Sequence, residues 1–454
     1  MLAKLRELFH DKDVLNRIFF TFAIFLVYRI GSAITIPGVN VSDSAFAAGD
    51  ALGMLNLMGG GALQSFSLFA LGVSPYITAQ IIVQLLSMDV LPVLTELSKE
   101  GETGRRKINM VSRTLTLVLG AVQAYGIIST MISSQGLTLN DTSVWGYIRI
   151  IVYLLAGSML LIWMGDQITT KGIGNGISMI IFAGIAAGFP QQIGEAFSTY
   201  FASKINTSNA ALILEGSAQL VVYLLAFFLI IVFVTFMEKS VRKLPVSHSN
   251  TSQTFQSETQ QASFLPIKIN SAGVIPIIFA SSVMMAPSII ISLFVGSGTT
   301  PGWAQTLEDV FNYQVMTDMG GGVSFPWGLI IYLFLIIAFS YFYSNIQINP
   351  ERIAENFQNS GTYITGLRPG SETSRYISKV LNRVTFIGSL ALAFVACLPV
   401  VLSLFGVVPQ SLALGGSGLI IVVGVGLEVW NQLDGILASK SYSSTRSLAA
   451  SQGA

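Results

Sequence analysis

Residues 55–107, LNLMGGGALQSFSLFALGVSPYITAQIIVQLLSMDVLPVLTELSKEGETGRRK, set three incompatible materials side by side. Leu55 to Ser65 is Gly-rich and weakly apolar. It is too short to cross a bilayer, and Gly59, Gly60 and Gly61 let it bend. Phe66 to Leu86 is apolar throughout and long enough to cross. A basic turn, Gly104-Arg105-Arg106-Lys107, then belongs on the cytoplasmic side. A segment that enters the membrane without crossing it survives only where protein or a water-filled cavity covers its backbone, because lipid satisfies neither N–H nor C=O. The stretch therefore predicts a short re-entrant element beside a cavity.

The rest of the chain agrees with a membrane setting. Of 454 residues, 52% are hydrophobic and 10% charged, where a soluble domain carries about 25% charged residues. Mean hydropathy is +0.67. The net charge of +1 gives no indication of a nucleic-acid partner. Cys397 is the single cysteine, so no internal disulfide can form, and with His10 and His248 the only histidines a His/Cys metal site is not expected. No cofactor motif is present.

Apolar runs of membrane-crossing length recur, and ten spans are predicted. They are Ile18 to Pro37, Phe66 to Leu86, Ile108 to Met131, Gly146 to Met164, Gly176 to Ile193, Ser217 to Met237, Ser271 to Val295, Phe325 to Tyr343, Val384 to Leu404 and Gly415 to Trp430. The first is longer than the roughly 7–15 residue core of a signal peptide and is taken as a retained span. Charge supports the count. With the N-terminus inside, Lys4 to Arg17, Lys99 to Lys107, Lys171, Lys239 to Lys268, Arg352 to Arg383, Lys440 and Arg446 all fall on the cytoplasmic side. The opposite loops hold Lys204 and otherwise acids such as Asp43, Asp141, Glu215 and Asp309. Both termini are thus expected in the cytoplasm.

Ten spans divide into two fives: 1–194 as one half, 195–216 as an external joint, 217–432 as the second half and 433–454 as a cytoplasmic tail. Because five is odd, the halves enter in opposite senses, which suits an inverted repeat with a pathway between them. Two cytoplasmic loops exceed what connection needs. Ser247 to Ser263, within the loop from Glu238 to Asn270, is polar and nearly uncharged and is expected to be flexible. The loop from Ser344 to Arg383 mixes helix formers with glycines and is expected to be folded and exposed.

Nucleotide-binding and catalytic signatures are missing: there is no P-loop, nucleophile elbow or paired-carboxylate arrangement within the spans. Ionisable residues in or at the edge of spans are Arg29, Arg113, Arg149 and Glu428, the last near the end of its span. A coupled transporter keeps a buried acid near the midplane. Energy for vectorial work is therefore expected from a partner.

Six stretches carry a family resemblance: PYITAQIIVQLL (75–86), KEGETGRRKIN (99–109), GIGNGISMIIFAGI (172–185), KINSAGVIPIIFASS (268–282), NPERIAENFQNSGTYITGLRPG (349–370) and GGSGLIIVVGVGLE (415–428). In this order and at these spacings they resemble the SecY family, the channel subunits of the protein translocon, in its bacterial branch. The resemblance implies an all-α polytopic membrane protein, ten transmembrane helices in two inverted five-helix halves, with a short re-entrant plug helix. It implies a pore ring of Val73, Ile77, Ile177, Ile181, Ile278 and Ile421. The pairs Val73/Ile77 and Ile177/Ile181 are each spaced i, i+4, which alone puts each pair on one helix face. Taken singly, each of these aliphatics would pass for ordinary packing or lipid contact.

By the same resemblance the plug is Asn56, Leu57, Met58, Gly59, Gly60, Gly61, Ala62 and Leu63, and the lateral gate carries Thr78, Gln84 and Asn270 between the second and seventh spans. Arg105, Arg106, Lys107, Arg242, Lys243 and Arg368 are implied docking positions for SecA or the ribosome. The loop after Pro245 departs from the family, having Ser247-His248-Ser249-Asn250 where basic residues are usual. Implied partners are SecE, SecG, the ATPase SecA, the ribosome, signal sequences, nascent or secretory polypeptides, and membrane lipid. The implied work is passing unfolded polypeptides across the bacterial plasma membrane and releasing transmembrane segments sideways into lipid. The competing reading is an inverted-repeat secondary transporter for a small solute, which would need a specific polar site at the midplane. An intramembrane enzyme would need a catalytic set that the chain lacks.

Overall fold

Capping chemistry fixes where several helices begin. Asp11, Ser143, Asn175 and Asn349 each place a side-chain oxygen on an amide of the first turn, satisfying donors that the helix itself cannot. The computed structural model describes residues 11–41, 56, 59–88, 90–133, 136–202, 210–248, 264–295, 301–313, 315–318, 324–404 and 418–437.

Its helices are α1 (Lys12–Ala33), α2 (Ser74–Leu86), α3 (Pro92–Lys99), α4 (Glu102–Ser133), α5 (Val144–Lys171), α6 (Gly176–Phe197), α7 (Ala210–Lys239), α8 (Ile275–Val295), α9 (Gly302–Phe311), α10 (Trp327–Gln347), α11 (Pro350–Asn359), α12 (Ser371–Leu404) and α13 (Gly418–Leu437). Among the described residues, eight helices are long and apolar enough to cross a membrane. With α2 and α8 they occupy all ten expected positions. The chain is an all-α polytopic membrane protein.

Packing divides the helices. α1, α2, α4, α5 and α6 contact one another, while α8, α10 and α12 form a second series that α7 joins through α12. The two series meet where α8 lies against α2 and α4, and where the π-helical turn Ser198–Ala202, continuing α6, touches α7. Helix ends thus occupy much of the expected joint at 195–216, of which 203–209 lies outside the described residues.

The second span departs from expectation. A helix was expected from Phe66, yet it starts at Ser74 and has 13 residues, about 20 Å against a hydrocarbon core of about 30 Å. Pro75 fits only in a first turn, since it has no amide to give a preceding carbonyl. Gly72 at φ +58° and Phe66 at φ 42° break the backbone before it. Turns cover 59–73 instead, and protein covers the turns: Ala62, Leu63, Phe66, Phe69, Ala70 and Leu71 are all buried. Their backbone is bonded as well, with Ile36 N donating to Phe66 O at 3.2 Å and Leu68 N to Ile34 O at 3.0 Å. This is the condition that irregular backbone must meet at membrane depth.

Two further expectations are corrected in the segments expected to face the cytoplasm. Gly104 to Lys107 is not a turn but part of the start of α4, where Glu102 suits the positive end of the helix dipole. The loop containing Ser247 and His248 is not flexible from its start: β3 (Val241–His248) pairs antiparallel with β4 (Phe264–Lys268) and with β7 (Thr362–Ile364). The remaining residues of that expected flexible stretch, 249–263, lie outside the described set. The three-stranded sheet ties the two long loops together over a small core of Leu244, Ile267, Ile364, Ile377 and Leu381. The second loop is folded, as expected. On the opposite side β1 (Val39–Val41) pairs with β2 (Leu137–Leu139), and β5 (Thr317–Asp318) with β6 (Ser324–Phe325).

Candidate functional site

Four elements bring the six expected ring residues together. Val73 is the N-cap residue of α2 and Ile77 sits one turn on; Ile177 and Ile181 lie on α6, Ile278 on α8 and Ile421 on α13. Val73, Ile77, Ile181, Ile278 and Ile421 are buried in one apolar cluster, and the partly buried Ile177 packs against it. Side chains of this kind offer no hydrogen bond to an ion or to water, and a narrow apolar passage can dewet and close without a charged filter.

The re-entrant segment sits against that cluster. Ala62 belongs to it, while Leu63 and Phe66 belong to a neighbouring cluster with Leu71, Ile128 and Leu154. Among the described residues of the expected plug helix only Asn56 is helical; Gly59 to Ser65 is a series of turns. Three consecutive glycines each cost a helix about 1 kcal/mol, and Gly60 and Gly61 take positive φ. Asn56 closes the loop, its Oδ1 accepting from Gln64 N and its carbonyl from Gly61 N, both at 2.9 Å. Leu57 and Met58 lie outside the described residues.

α2 and α8 pack against each other, but the three expected gate residues are not hydrogen-bonded together. Thr78 Oγ1 donates within its own helix to Ser74 O at 3.1 Å. Gln84 Oε1 is buried without a partner. Asn270 donates to Glu238 Oε1 at 2.6 Å and to Gly273 O at 2.9 Å, so its amide is committed to the end of α7 and to the turn that starts α8. Sequence reasoning missed Glu238, which adjoins Lys239 and passed for a loop acid. A polar recess of about 300 Å³ opens here, lined among others by Glu238, Lys268, Asn270 and Glu428. Glu428 is exposed and falls midway along α13, because that helix continues past the apolar run to Leu437.

The other ionisable residues in the spans also have partners. Arg113 pairs with Asp166 of α5 at 2.5 Å, and Arg149 with Asp141 at 3.4 Å. Asp166, two residues beyond the expected fourth span, was a further acid that the hydropathy reading passed over.

Arg105, Arg106 and Lys107 are exposed near the start of α4. Lys107 lies 3.3 Å from Glu100, and with 61% and 46% of these side chains exposed the pair adds little stability. Arg242 and Lys243 stand on β3, the latter with Nζ 4.6 Å from the Phe264 ring centroid. Arg368 is exposed between β7 and α12, its backbone held by Thr373 Oγ1 at 2.8 Å and by Glu372 at 3.3 Å. The sheet therefore joins Arg242, Lys243 and the approach to Arg368 in one folded unit. On another side, α1, α6 and α13 border an apolar groove of about 610 Å³ lined by residues such as Phe22, Phe25, Phe182, Val425 and Val429.

Comparison with known proteins adds to this geometry. A family model described as SecY matches residues 67–430. The chain is 41% identical over 445 residues to protein translocase subunit SecY 1 of Lactobacillus kefiranofaciens subsp. kefiranofaciens, covering 97% of this chain and 99% of that one. It is 42% identical over 443 residues to protein translocase subunit SecY of Halalkalibacterium halodurans, with the same coverage of 97% and 99%. A solved protein-conducting channel superposes with a TM-score of 0.61 at 17% identity, covering 92% of this chain and 91% of that one. Canine Sec61 in a ribosome-channel complex gives 0.57 at 16% identity, again covering 92% and 91%. At these identities the solved structures speak for the fold.

Proposed function

The chain belongs to the SecY family and is a channel subunit of a protein translocase, and from that premise we propose how its residues divide the work. Val73, Ile77, Ile177, Ile181, Ile278 and Ile421 form the constriction through which an unfolded polypeptide passes. The observation that supports this is their meeting, from four separate elements, in one apolar cluster that also takes in Ala62. An aliphatic collar stays shut to small ions yet deforms around any sequence, because it has no hydrogen-bonding preference to satisfy. Residues 56–63 seal it from one side and move away when a chain enters.

The seam between α2 and α8 is the lateral gate. Thr78, Gln84 and Asn270 tune it, and interhelical polar contacts in membranes are worth about 0.6–2 kcal/mol each. Such a seam can be shifted by a signal sequence whose apolar core partitions between the helices. The halves 1–194 and 217–432 flank the pathway, joined by 195–216, with 433–454 as a tail. Residues of both halves line the groove between α1, α6 and α13, which suits SecE as a clamp across them; SecG is a further subunit. The protein resides in the bacterial plasma membrane with both termini in the cytoplasm, and the exposed basic residues around β3, α4 and Arg368 receive SecA or the ribosome.

Proteoliposomes test the reading. Assembled with its partner subunits, SecA and ATP, the chain should import a secretory precursor, and it should take up no small solute by itself. Solute uptake by the chain alone, with no precursor import by the assembly, would favour the transporter instead. Arg368→Glu should abolish SecA-driven import while leaving membrane insertion intact; normal import by that variant removes Arg368 from the docking surface.

A further inference from the structure

Tyr28 and Arg29 are neighbours on α1, and both reach across to the backbone of the re-entrant segment. The Tyr28 hydroxyl donates to the Gly59 carbonyl at 2.8 Å, and the Arg29 guanidinium to the Gly60 carbonyl at 3.1 Å. Tyr28 is 3% exposed, with its ring stacked on Phe69 at a centroid distance of 5.8 Å. Within its own turn the Gly59 carbonyl accepts a long bond, 3.3 Å from Ala62 N. The opposite side is closed by α6: Gly60 has φ +64°, and a Cβ there would lie 2.8 Å from the Gly184 backbone. The tip of the segment is thus pressed between two spans, and the directional hold comes from α1.

The exit of the segment is held differently. Ile36 N and Leu68 N make backbone bonds between the end of α1 and residues 66–68. Those bonds tie chain to chain and cannot open without unravelling the fold around α2. The Arg29 bond to Gly60 can open by a rotamer change alone, and the Tyr28 hydroxyl can release the Gly59 carbonyl by turning its proton while the buried ring stays on Phe69. Arg29 is exposed beside the groove, so a released guanidinium has room to turn away. The carbonyls it leaves would meet the water that enters as the segment moves.

We propose that Tyr28 and Arg29 are a latch: two adjacent donors on the first span that hold the seated position of the re-entrant segment and must release for it to move. This rests on the reading of residues 56–63 as a movable seal. They are positioning residues: neither is one of the six proposed constriction side chains, although Tyr28 is buried in the same apolar cluster.

The test is single-channel recording of the full chain, assembled with its partner subunits in planar bilayers without substrate. Tyr28→Phe keeps the ring on Phe69 and removes only the hydroxyl, and Arg29→Met removes the donors while keeping the stem. Each should raise resting open probability roughly fivefold, the double variant should exceed either, and Arg29→Lys should fall between Arg29→Met and the unaltered chain. With Met58 to Gln64 deleted, the acceptors are gone, so the same substitutions should add nothing. Tight variants beside a leaky deletion overturn the latch and leave the movable seal standing. Leakage that persists as an added effect in the deleted channel also overturns it, because the residues would then act elsewhere. A deletion that is itself tight removes the movable seal and the latch with it.

Discussion

The proposed constriction and the re-entrant segment that sits against it are held by different kinds of contact. Around Ile77, Ile181, Ile278 and Ile421 the contacts are apolar and without direction, whereas residues 59–67 are also held by named donors and acceptors: Gln64 to Asn56, Ser67 to Ala62, Ser65 to Ser32 and α1 to the glycine carbonyls. Dispersion contacts survive deformation because many small terms are exchanged for similar ones. Hydrogen bonds break as discrete steps. On the proposed reading, a collar that stretches around every sequence benefits from the first property, and a seal that is either seated or absent benefits from the second.

Deleting Met58 to Gln64 breaks the contrast most severely and should give the largest effect, a folded channel that leaks ions at rest; unchanged resting conductance would put the whole barrier in the collar. Ile181→Ser attacks the other kind of contact. A polar side chain in the proposed apolar passage should raise resting ion conductance, by less than the deletion does, and a greater effect would reverse the ranking of the two seals. Asn270→Leu lies at the seam between α2 and α8. It removes the bond to Glu238, leaves that carboxylate without its amide, and should change which members of a graded series of weak signal sequences are exported. Identical export across the series would make Asn270 a turn residue only.

Asp141 supplies a control outside both regions. The Ser143 amide and hydroxyl, with Arg149 nearby, hold its carboxyl below the ordinary value of 3.8. A depressed carboxylate stabilises the fold above its unfolded pKa and ceases to do so as pH falls through its folded value. Asp141→Asn should therefore leave conductance unchanged and lower thermal stability slightly at neutral pH, with the difference vanishing in strong acid.

Much of the architecture was legible because membrane burial writes itself into composition: ten apolar runs and the sidedness of Lys and Arg gave ten helices in place. The start of α2 was legible only in part. Pro75 marks a first turn, but an apolar run from Phe66 conceals that its first eight residues are irregular, since buried turns and buried helix need the same side chains. The sheet was not legible, because β3 and β7 pair Ser247 with Tyr363 across more than a hundred residues and β7 is only three residues long. The six aliphatics of the constriction came from resemblance, as periodicity alone could put only two pairs on common faces. Glu238 and Tyr28 gave no local signal, and Arg29 stood out only as a charge within a span; the meaning of all three lies in a bond to a residue about thirty positions away.

The central claim is that a passing polypeptide touches the collar from several helices at once. In a background where the buried Cys397 is replaced by Ser, cysteines placed singly at Ile77, Ile278 and Ile421 should each crosslink to the same short stretch of a stalled secretory chain. Crosslinking at none of the three, while the stalled chain remains protected in the membrane, would place the path elsewhere and contradict the account.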